Sequence, residues 1–368
     1  MLIRDRLLLV SNTSVISYDK GKLYKRTNLA DKQCFLCELP NAGIKRFLVR
    51  IPLLERLFRL EPRFAFPYKD NTFYLSFGGA MYLVDADTGK IKLVHSYREK
   101  MHNPLNPCVV DNLEGFESGF YYGEYWGNSN HDEVSIFRGN GESWEKRYTF
   151  PRGSILHIHS IIPDYENERL LILTGDSDHE SAIWEARKNF TVVERIIGGS
   201  QQFRSCSAFV NNSNILFTTD TPKETNYLYK FFPGDKHVEK IHKLAGPCIY
   251  SSEVKDSTGK KYYIFATSVE PDSAFAGTWK YRFSTKIAPG VEDSYSHVYL
   301  SDGIHVKEVA KFKKDGFPFQ LFQFGNIRFP YQGDDVNDTV FLCPQSVKGL
   351  HGKTISISLP ELLRVKEL

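Results

Sequence analysis

The sequence predicts an all-β protein: a single β-propeller of seven four-stranded antiparallel blades, with the ring closed by N- and C-terminal strands and six blades as the alternative count. Three observations carry this. Six copies of one hairpin pattern run through the chain at Ser14–Arg26, Met81–Val94, Val134–Tyr148, Ala182–Arg195, Asn226–Lys240 and His297–Val309, with a weaker seventh at Thr354–Glu367. Each sets an alternating apolar run against a turn rich in Gly, Asp, Asn or Lys and then a second strand-like run, which is the signature of a β-hairpin. The copies start roughly 45 to 70 residues apart, the self-similarity of radial repeats. Finally, period-two alternation with β-branched and aromatic enrichment dominates, and no long 3.6-period apolar stripe competes with it.

Two further strand-like runs before each copy supply the four strands of a blade. The clearest blade reads Ile155–Ile162, Leu170–Asp176, Ala182–Ala186 and Thr191–Ile196. The next repeats it at Phe203–Val210, Ile215–Asp220, Tyr227–Phe231 and Val238–Ile241. Blades are placed near 63–96, 107–150, 155–197, 202–245, 248–312 and 319–358, all within one domain spanning 1–368. Residues 7–27 give a partial blade lacking an obvious first strand. Completing the ring with strands from both ends removes exposed sheet edges. Phe47–Leu60 reads as an amphipathic connector or a short helix. The insertion at about 270–296, with Trp279, Tyr281, Arg282, Phe283 and Tyr295, reads as a rim or lid loop.

Bulk composition narrows the function classes. The 368 residues are 41% hydrophobic and 14% aromatic, ample for a folded core. A formal charge of +3 from 47 basic and 44 acidic side chains is too balanced for a strong phosphate-binding field, so nucleic acid is not expected as a partner. Arg4, Asp5 and Arg6 interrupt the N-terminal apolar run, and no stretch of about 20 apolar residues follows, so neither a secretory segment nor a membrane partner is expected. Cys108, Cys206 and Cys248 fall at matching places in successive repeats, as buried free thiols would. Cys34 and Cys37 form one CxxC without a second pair at zinc-finger spacing. The expected location is therefore cytoplasmic.

The turn at Phe137–Trp144 resembles the Asp-box of BNR-type propellers, Ser-x-Asp-x-Gly-x-Thr-Trp. Gly141, Ser143 and Trp144 match its last part, while Phe137 and Gly139 stand where its Ser and Asp belong. The resemblance implies fold, because in that family the box is a hairpin remote from the active site. Arg50-Ile51-Pro52 is similar to the Arg-Ile-Pro motif of sialidases in this superfamily, whose Arg binds the substrate carboxylate. A broader likeness to propeller-type polysaccharide lyases and glycoside hydrolases rests on topology.

In a propeller, the starts of the first strands and the loops between second and third strands gather on the central-channel face, so residues distant in sequence meet there. That face is predicted to carry His157, His159, Asp176, Arg204, Asp220 and Tyr250 as catalytic residues and Arg63, Glu124, Trp126, Gln202 and Gln323 as substrate-binding residues. His157 and His159 share a strand face and serve as base and acid, or hydrogen-bond between blades. Arg204 grips a carboxylate bidentately or bridges blades. Asp176 and Asp220 end equivalent strands, as a glycosidic acid/base pair or as turn caps. Tyr250 supplies a phenol or packs at a blade interface.

The function expected is cleavage of an acidic oligo- or polysaccharide by a lyase or a glycoside hydrolase. The alternative is a non-catalytic module binding a glycan or a protein. No cofactor or metal site is called for by spacing, and a divalent metal on the histidines and an Asp is the one candidate.

Overall fold

The computed structural model describes residues 1–211 and 213–365. Seven antiparallel sheets follow one another along the chain, and the protein is a seven-bladed β-propeller. The last two residues of the weak seventh hairpin copy, Lys366 and Glu367, lie outside the described residues.

Contacts divide the chain into two compact units, residues 1–93 with 250–368 and residues 94–249. In the second unit, one sheet runs Cys108–Val110, Gly119–Gly123, Val134–Asn140 and Ser143–Phe150. The next runs His157–Asp164, Arg169–Gly175, Ala182–Arg187 and Val192–Gly198, followed by Ser207–Asn211, Asn214–Thr218, Asn226–Phe232 and His237–Leu244. Their apolar alternation has a plain consequence. Ile158, Ile161, Leu170 and Ile172 pack on Val110, Tyr121 and Ile136 of the preceding sheet, while Leu171, Leu173 and Ile183 on the opposite face pack on Ala208, Ile215 and Phe217 of the following one. That middle sheet is thus apolar on both faces, and its strand Arg169–Gly175 is buried throughout. The fourth strands, such as Val192–Gly198, are partly exposed and take the polar residues.

The first unit contains the chain ends. Residues 7–27, expected to lack a first strand, instead lie in a complete blade: Arg6–Val10 is its first strand, Val15–Asp19 and Lys22–Arg26 follow, and Cys34–Glu38 is the fourth. Tyr331–Gln332 adds a parallel strand beside Arg6–Val10. The final blade comprises Asn326–Arg328, Thr339–Gln345 and Thr354–Ser358. Its outer strand is Leu2–Ile3 from the N-terminus, in register at Leu2↔Ile355 and Ile3↔Thr354. Strands from both ends therefore share a sheet, as the edge argument expected.

The connector at 47–60 contains two helices, Lys45–Leu48 and Pro52–Phe58, the second with proline in its first turn. Arg50, of the sialidase-like triplet, is exposed there and lies 3.9 Å from Glu38. The 270–296 insertion carries the short helix Trp279–Arg282, capped by the Thr278 hydroxyl, which accepts from Tyr281 N. At the Asp-box-like turn, Gly141 has φ +69° and the Trp144 indole packs on Gly139, where a Cβ would come within 2.7 Å of the ring. Trp144 also stacks on His95 with centroids 4.5 Å apart. All six cysteines are free, Cys34 exposed and the rest buried.

Candidate active site

Five of the predicted catalytic residues converge in the second unit. His157 opens its strand opposite Gly175, and the register shifts between Ile158 and Ser160, so that His159 sits at a β-bulge. A bulge re-aims the side chain it carries. Here it brings the two imidazoles tip to tip, with Nε2 atoms 3.0 Å apart, both rings buried. Gly175 is required on the facing strand, since a Cβ there would lie 2.7 Å from His159 Cε1 and 3.3 Å from Arg204 Cγ.

The other ring nitrogens fix the tautomers. His157 Nδ1 lies 3.0 Å from the Trp126 carbonyl and His159 Nδ1 lies 2.9 Å from the Ser205 carbonyl. A carbonyl only accepts, so both Nδ1 atoms are donors, and each ring presents Nε2 to the site. Asp176, the residue after the strand Arg169–Gly175, places Oδ1 3.3 Å from His159 Nε2 and 3.6 Å from His157 Nε2.

Arg204 completes the cluster. Its Nη2 is 3.0 Å from Asp176 Oδ1, its Nη1 donates to the Asp176 carbonyl at 3.4 Å, and its Nε is 3.7 Å from Asp220 Oδ2. The residue was expected to begin a strand. It instead follows the single turn Gln201–Phe203 and precedes Ser207–Asn211, so the guanidinium is delivered by a loop. Burial would raise the Asp176 carboxyl, but hydrogen bonds from both histidines and the Arg204 charge outweigh it and hold it well below the usual carboxylate range. Asp176 is ionised at any working pH. Asp220 goes the other way: burial raises its carboxyl despite Arg204 and His159, and Asp176 adds to the rise. Cys206 donates its thiol to Asp220 Oδ2 at 3.3 Å, and burial followed by the Asp220 charge pushes that thiol well up.

A metal ion fits this donor set. With both Nδ1–H groups committed to carbonyls, both Nε2 atoms face each other at 3.0 Å beside the Asp176 carboxylate: protons on them make the hydrogen bonds to Asp176, and a cation in their place would be held by the two nitrogens and the carboxylate. One ligand atom from each of His157, His159 and Asp176 lies within 4.8 Å of the others. Backbone acceptors on the far ring nitrogens are what metal-binding histidines use to set orientation. A second grouping, His159 with Cys206 and Asp220, is less apt because its thiol is held protonated by burial.

The remaining predicted residues are placed differently. Glu124 receives Arg98 through both carboxylate oxygens, at 2.7 and 3.0 Å, and Ser135 N at 2.8 Å, so its charge is used internally. Trp126 reaches the site through its carbonyl, while the Arg98 guanidinium covers its ring at 4.5 Å. Gln202 lies half-buried in the Gln201–Phe203 turn, and its neighbour Gln201 makes the contacts, donating to the Asp176 carbonyl and to Asp178 Oδ1. Tyr250, Arg63 and Gln323 belong to the first unit, where both Arg63 and Arg328 lie over the Tyr250 ring.

Two supporting residues carry little sequence signal. Asn106 donates to the Cys206 and Ile249 carbonyls, and its own N–H and carbonyl bond to His159 O and Ile161 N. It ties the histidine strand to its neighbours. Tyr125 leans over His157 with centroids 4.4 Å apart.

No family model and no curated protein matches the chain. Solved structures do resemble it. An oligogalacturonate lyase in complex with manganese aligns over 95% of this chain and 87% of its own at 10% identity, with a TM-score of 0.57. An oligogalacturonate lyase from Vibrio parahaemolyticus aligns over 96% and 90% at 11% identity, TM-score 0.56. The N-terminal domain of Nup159 aligns over 96% and 89% at 11% identity, TM-score 0.52. At these identities the likeness is one of fold, the propeller, and the BNR repeat type finds no match.

Proposed function

We propose that the protein is a metal-assisted lyase acting on an acidic oligosaccharide, with the site at His157, His159, Asp176 and Arg204. The observation that carries this is the pair of Nε2 atoms meeting at 3.0 Å with Asp176 and the Arg204 guanidinium beside them. Structural likeness to two oligogalacturonate lyases, one of them a manganese complex, supports the same class.

Elimination from a uronate passes the proton α to the carboxylate to a base, here solvent water, breaks the bond to the oxygen at the β carbon as the C=C bond forms, and returns a proton from that water to the departing oxygen. Its barrier is set by the negative charge that builds on the carboxylate. His157, His159 and Asp176 would hold the divalent cation, which when bound supplies the electrophile for that charge. Arg204, whose two Nη atoms already contact Asp176, would turn its remaining N–H groups to a substrate carboxylate, and it is braced by Asp220, itself capped by the Cys206 thiol. The Trp126 and Ser205 carbonyls keep the Nδ1 protons in place, and the tilted Tyr125 ring limits movement of His157.

A hydrolase mechanism fits the carboxylates less well. It needs one carboxylic acid able to give its proton to the leaving oxygen. Asp176 is held ionised, and Asp220 is buried beneath Arg204 and Cys206.

The test is incubation with oligogalacturonates and other uronate oligomers in Mn²⁺, followed by ultraviolet absorbance of 4,5-unsaturated product. Product is expected in Mn²⁺ and not in EDTA, and His159→Ala or Arg204→Ala should cut the rate at least roughly 100-fold. New reducing ends without unsaturation would establish hydrolysis instead. Absence of both products across the panel would favour a binding module.

A further inference from the structure

A second polar cluster, built from other residues, lies half-buried in the first unit. Arg6 starts the strand Arg6–Val10, Arg63 stands just before Phe64–Pro67, and Arg328 ends Asn326–Arg328. The guanidinium carbons of Arg63 and Arg328 lie 5.1 and 5.8 Å from the centroid of the Tyr250 ring. Arg6, only 4% exposed, donates to the Pro62 carbonyl and lies close enough to Arg328 that the two charges oppose each other. Glu61 is the carboxylate whose charge acts on both.

That carboxylate is already partly engaged. Glu61 Oε1 accepts from Gln323 Nε2 at 3.0 Å and from Gln345 Nε2 at 2.9 Å. Its other oxygen, Oε2, is buried with no hydrogen-bond partner among the described residues, and so is Arg328 Nε. Burial alone would raise the Glu61 carboxyl, yet Arg328, Arg6 and His351 keep it low, so it is an acceptor and not a donor. The charges of two guanidiniums thus act on one carboxylate, and one acceptor, Glu61 Oε2, and one donor, Arg328 Nε, are left over. Leaving such groups unpaired costs each its desolvation energy. Gln323 is also held at φ +71°, ψ 170°, a region that side chains other than glycine's avoid, and this delivers its amide to Glu61.

We propose that Arg6, Arg328 and Glu61, with Tyr250 and Arg63 alongside, form a ligand site for a hydroxy acid of the sugar-acid class. The ligand's carboxylate would take the donor of Arg328 and balance the surplus guanidinium charge, and a hydroxyl would donate to Glu61 Oε2. A plain anion would satisfy the first requirement and leave the second unmet. A neutral sugar would do the reverse. The inference rests on the proposed function only in its choice of a sugar acid as the member of that class.

The experiment is calorimetric titration of the full chain with glucuronate, acetate and glucose at low salt, using Arg328→Gln and the His157→Ala/His159→Ala double variant. One equivalent of glucuronate should bind the wild type and the double histidine variant alike, and roughly 10- to 100-fold more weakly to Arg328→Gln. Acetate should bind at least roughly 10-fold more weakly than glucuronate and glucose not at all. Arg328→Lys, which keeps the charge and loses the fork, should fall between wild type and Gln, and it replaces Gln if circular dichroism shows that variant unfolded. Equal binding by wild type and both Arg328 variants, equal affinity for acetate and glucuronate, or no glucuronate binding would overturn the assignment. Loss of glucuronate binding in the histidine variant alone would place the sugar acid at the first site and overturn the second. Failure of the lyase assay leaves this titration unaffected.

Discussion

Single side chains in this protein differ sharply in how burial treats their protons. Glu55 is a clear case: it lies 8% exposed in the helix Pro52–Phe58, accepts a hydrogen bond from the Tyr18 hydroxyl, and is pushed up to about 7 by burial. A carboxyl raised from 4.5 in the unfolded chain binds more protons when folded, so its contribution to stability is complete below about pH 4.5. That contribution is lost as pH rises through about 7. Its size is on the order of 3 kcal/mol. Glu55→Gln should therefore lose this fall, and the check is denaturant unfolding of both proteins from pH 4.5 to 8. Parallel stability curves would show that Glu55 titrates normally. His95 and His351, each lowered to about 4 chiefly by burial, act in the opposite sense by losing stability as pH falls from 6.5 towards 4, so the difference between the two proteins is the quantity to read.

At the scale of strands and turns, the candidate active site depends on two irregularities. The bulge at His159 adds a residue to one strand, and the facing strand must end in glycine to admit the imidazole that the bulge turns inward. Gly175→Ala would set a Cβ 2.7 Å from His159 Cε1, so the ring or the strand must yield. The expected outcome is a stability loss of about 1–3 kcal/mol. Divalent metal binding, measured by titration calorimetry, should weaken at the same time. Wild-type values for both would show that the ring has room to spare. Arg204 illustrates the same dependence from the other side. It hangs from a loop between a single turn and the strand Ser207–Asn211, and its direction is set by Asp176 and Asp220.

For the molecule as a whole, the two-residue strand Leu2–Ile3 has an influence out of proportion to its length. It covers the edge of Thr354–Ser358, and without it that strand would present unpaired backbone groups. Ile3→Pro removes a backbone donor from the sheet and a buried side chain from the cluster that includes Leu7, Val10 and Phe341. Thermal unfolding should shift down by several degrees, and light scattering should report association through the freed edge. An unchanged midpoint would mean that this edge needs no cover.

The hairpin repeats were legible because a period-two apolar pattern broken by turn residues is a local property, written in neighbouring residues. From that pattern came the all-β class, seven blades as the favoured count over six, and the positions from which His157, His159, Asp176, Arg204 and Asp220 were picked out. Other features depended on contacts that no local pattern records. Arg6–Val10 is the first strand of a complete blade because Tyr331–Gln332 and Cys34–Glu38 flank its sheet. Glu124 and Trp126 are engaged by Arg98, a residue outside every repeat. The ties made by Asn106 and the meeting of Glu61 and Arg6 with Arg63, Tyr250 and Gln323 are not written in any local pattern for the same reason. Sequence by itself determined which side chains fall at the ends of which strands. Only the tertiary structure decided how those side chains meet, because a bulge, a loop and the packing of one sheet on the next set ångström distances that strand period leaves open.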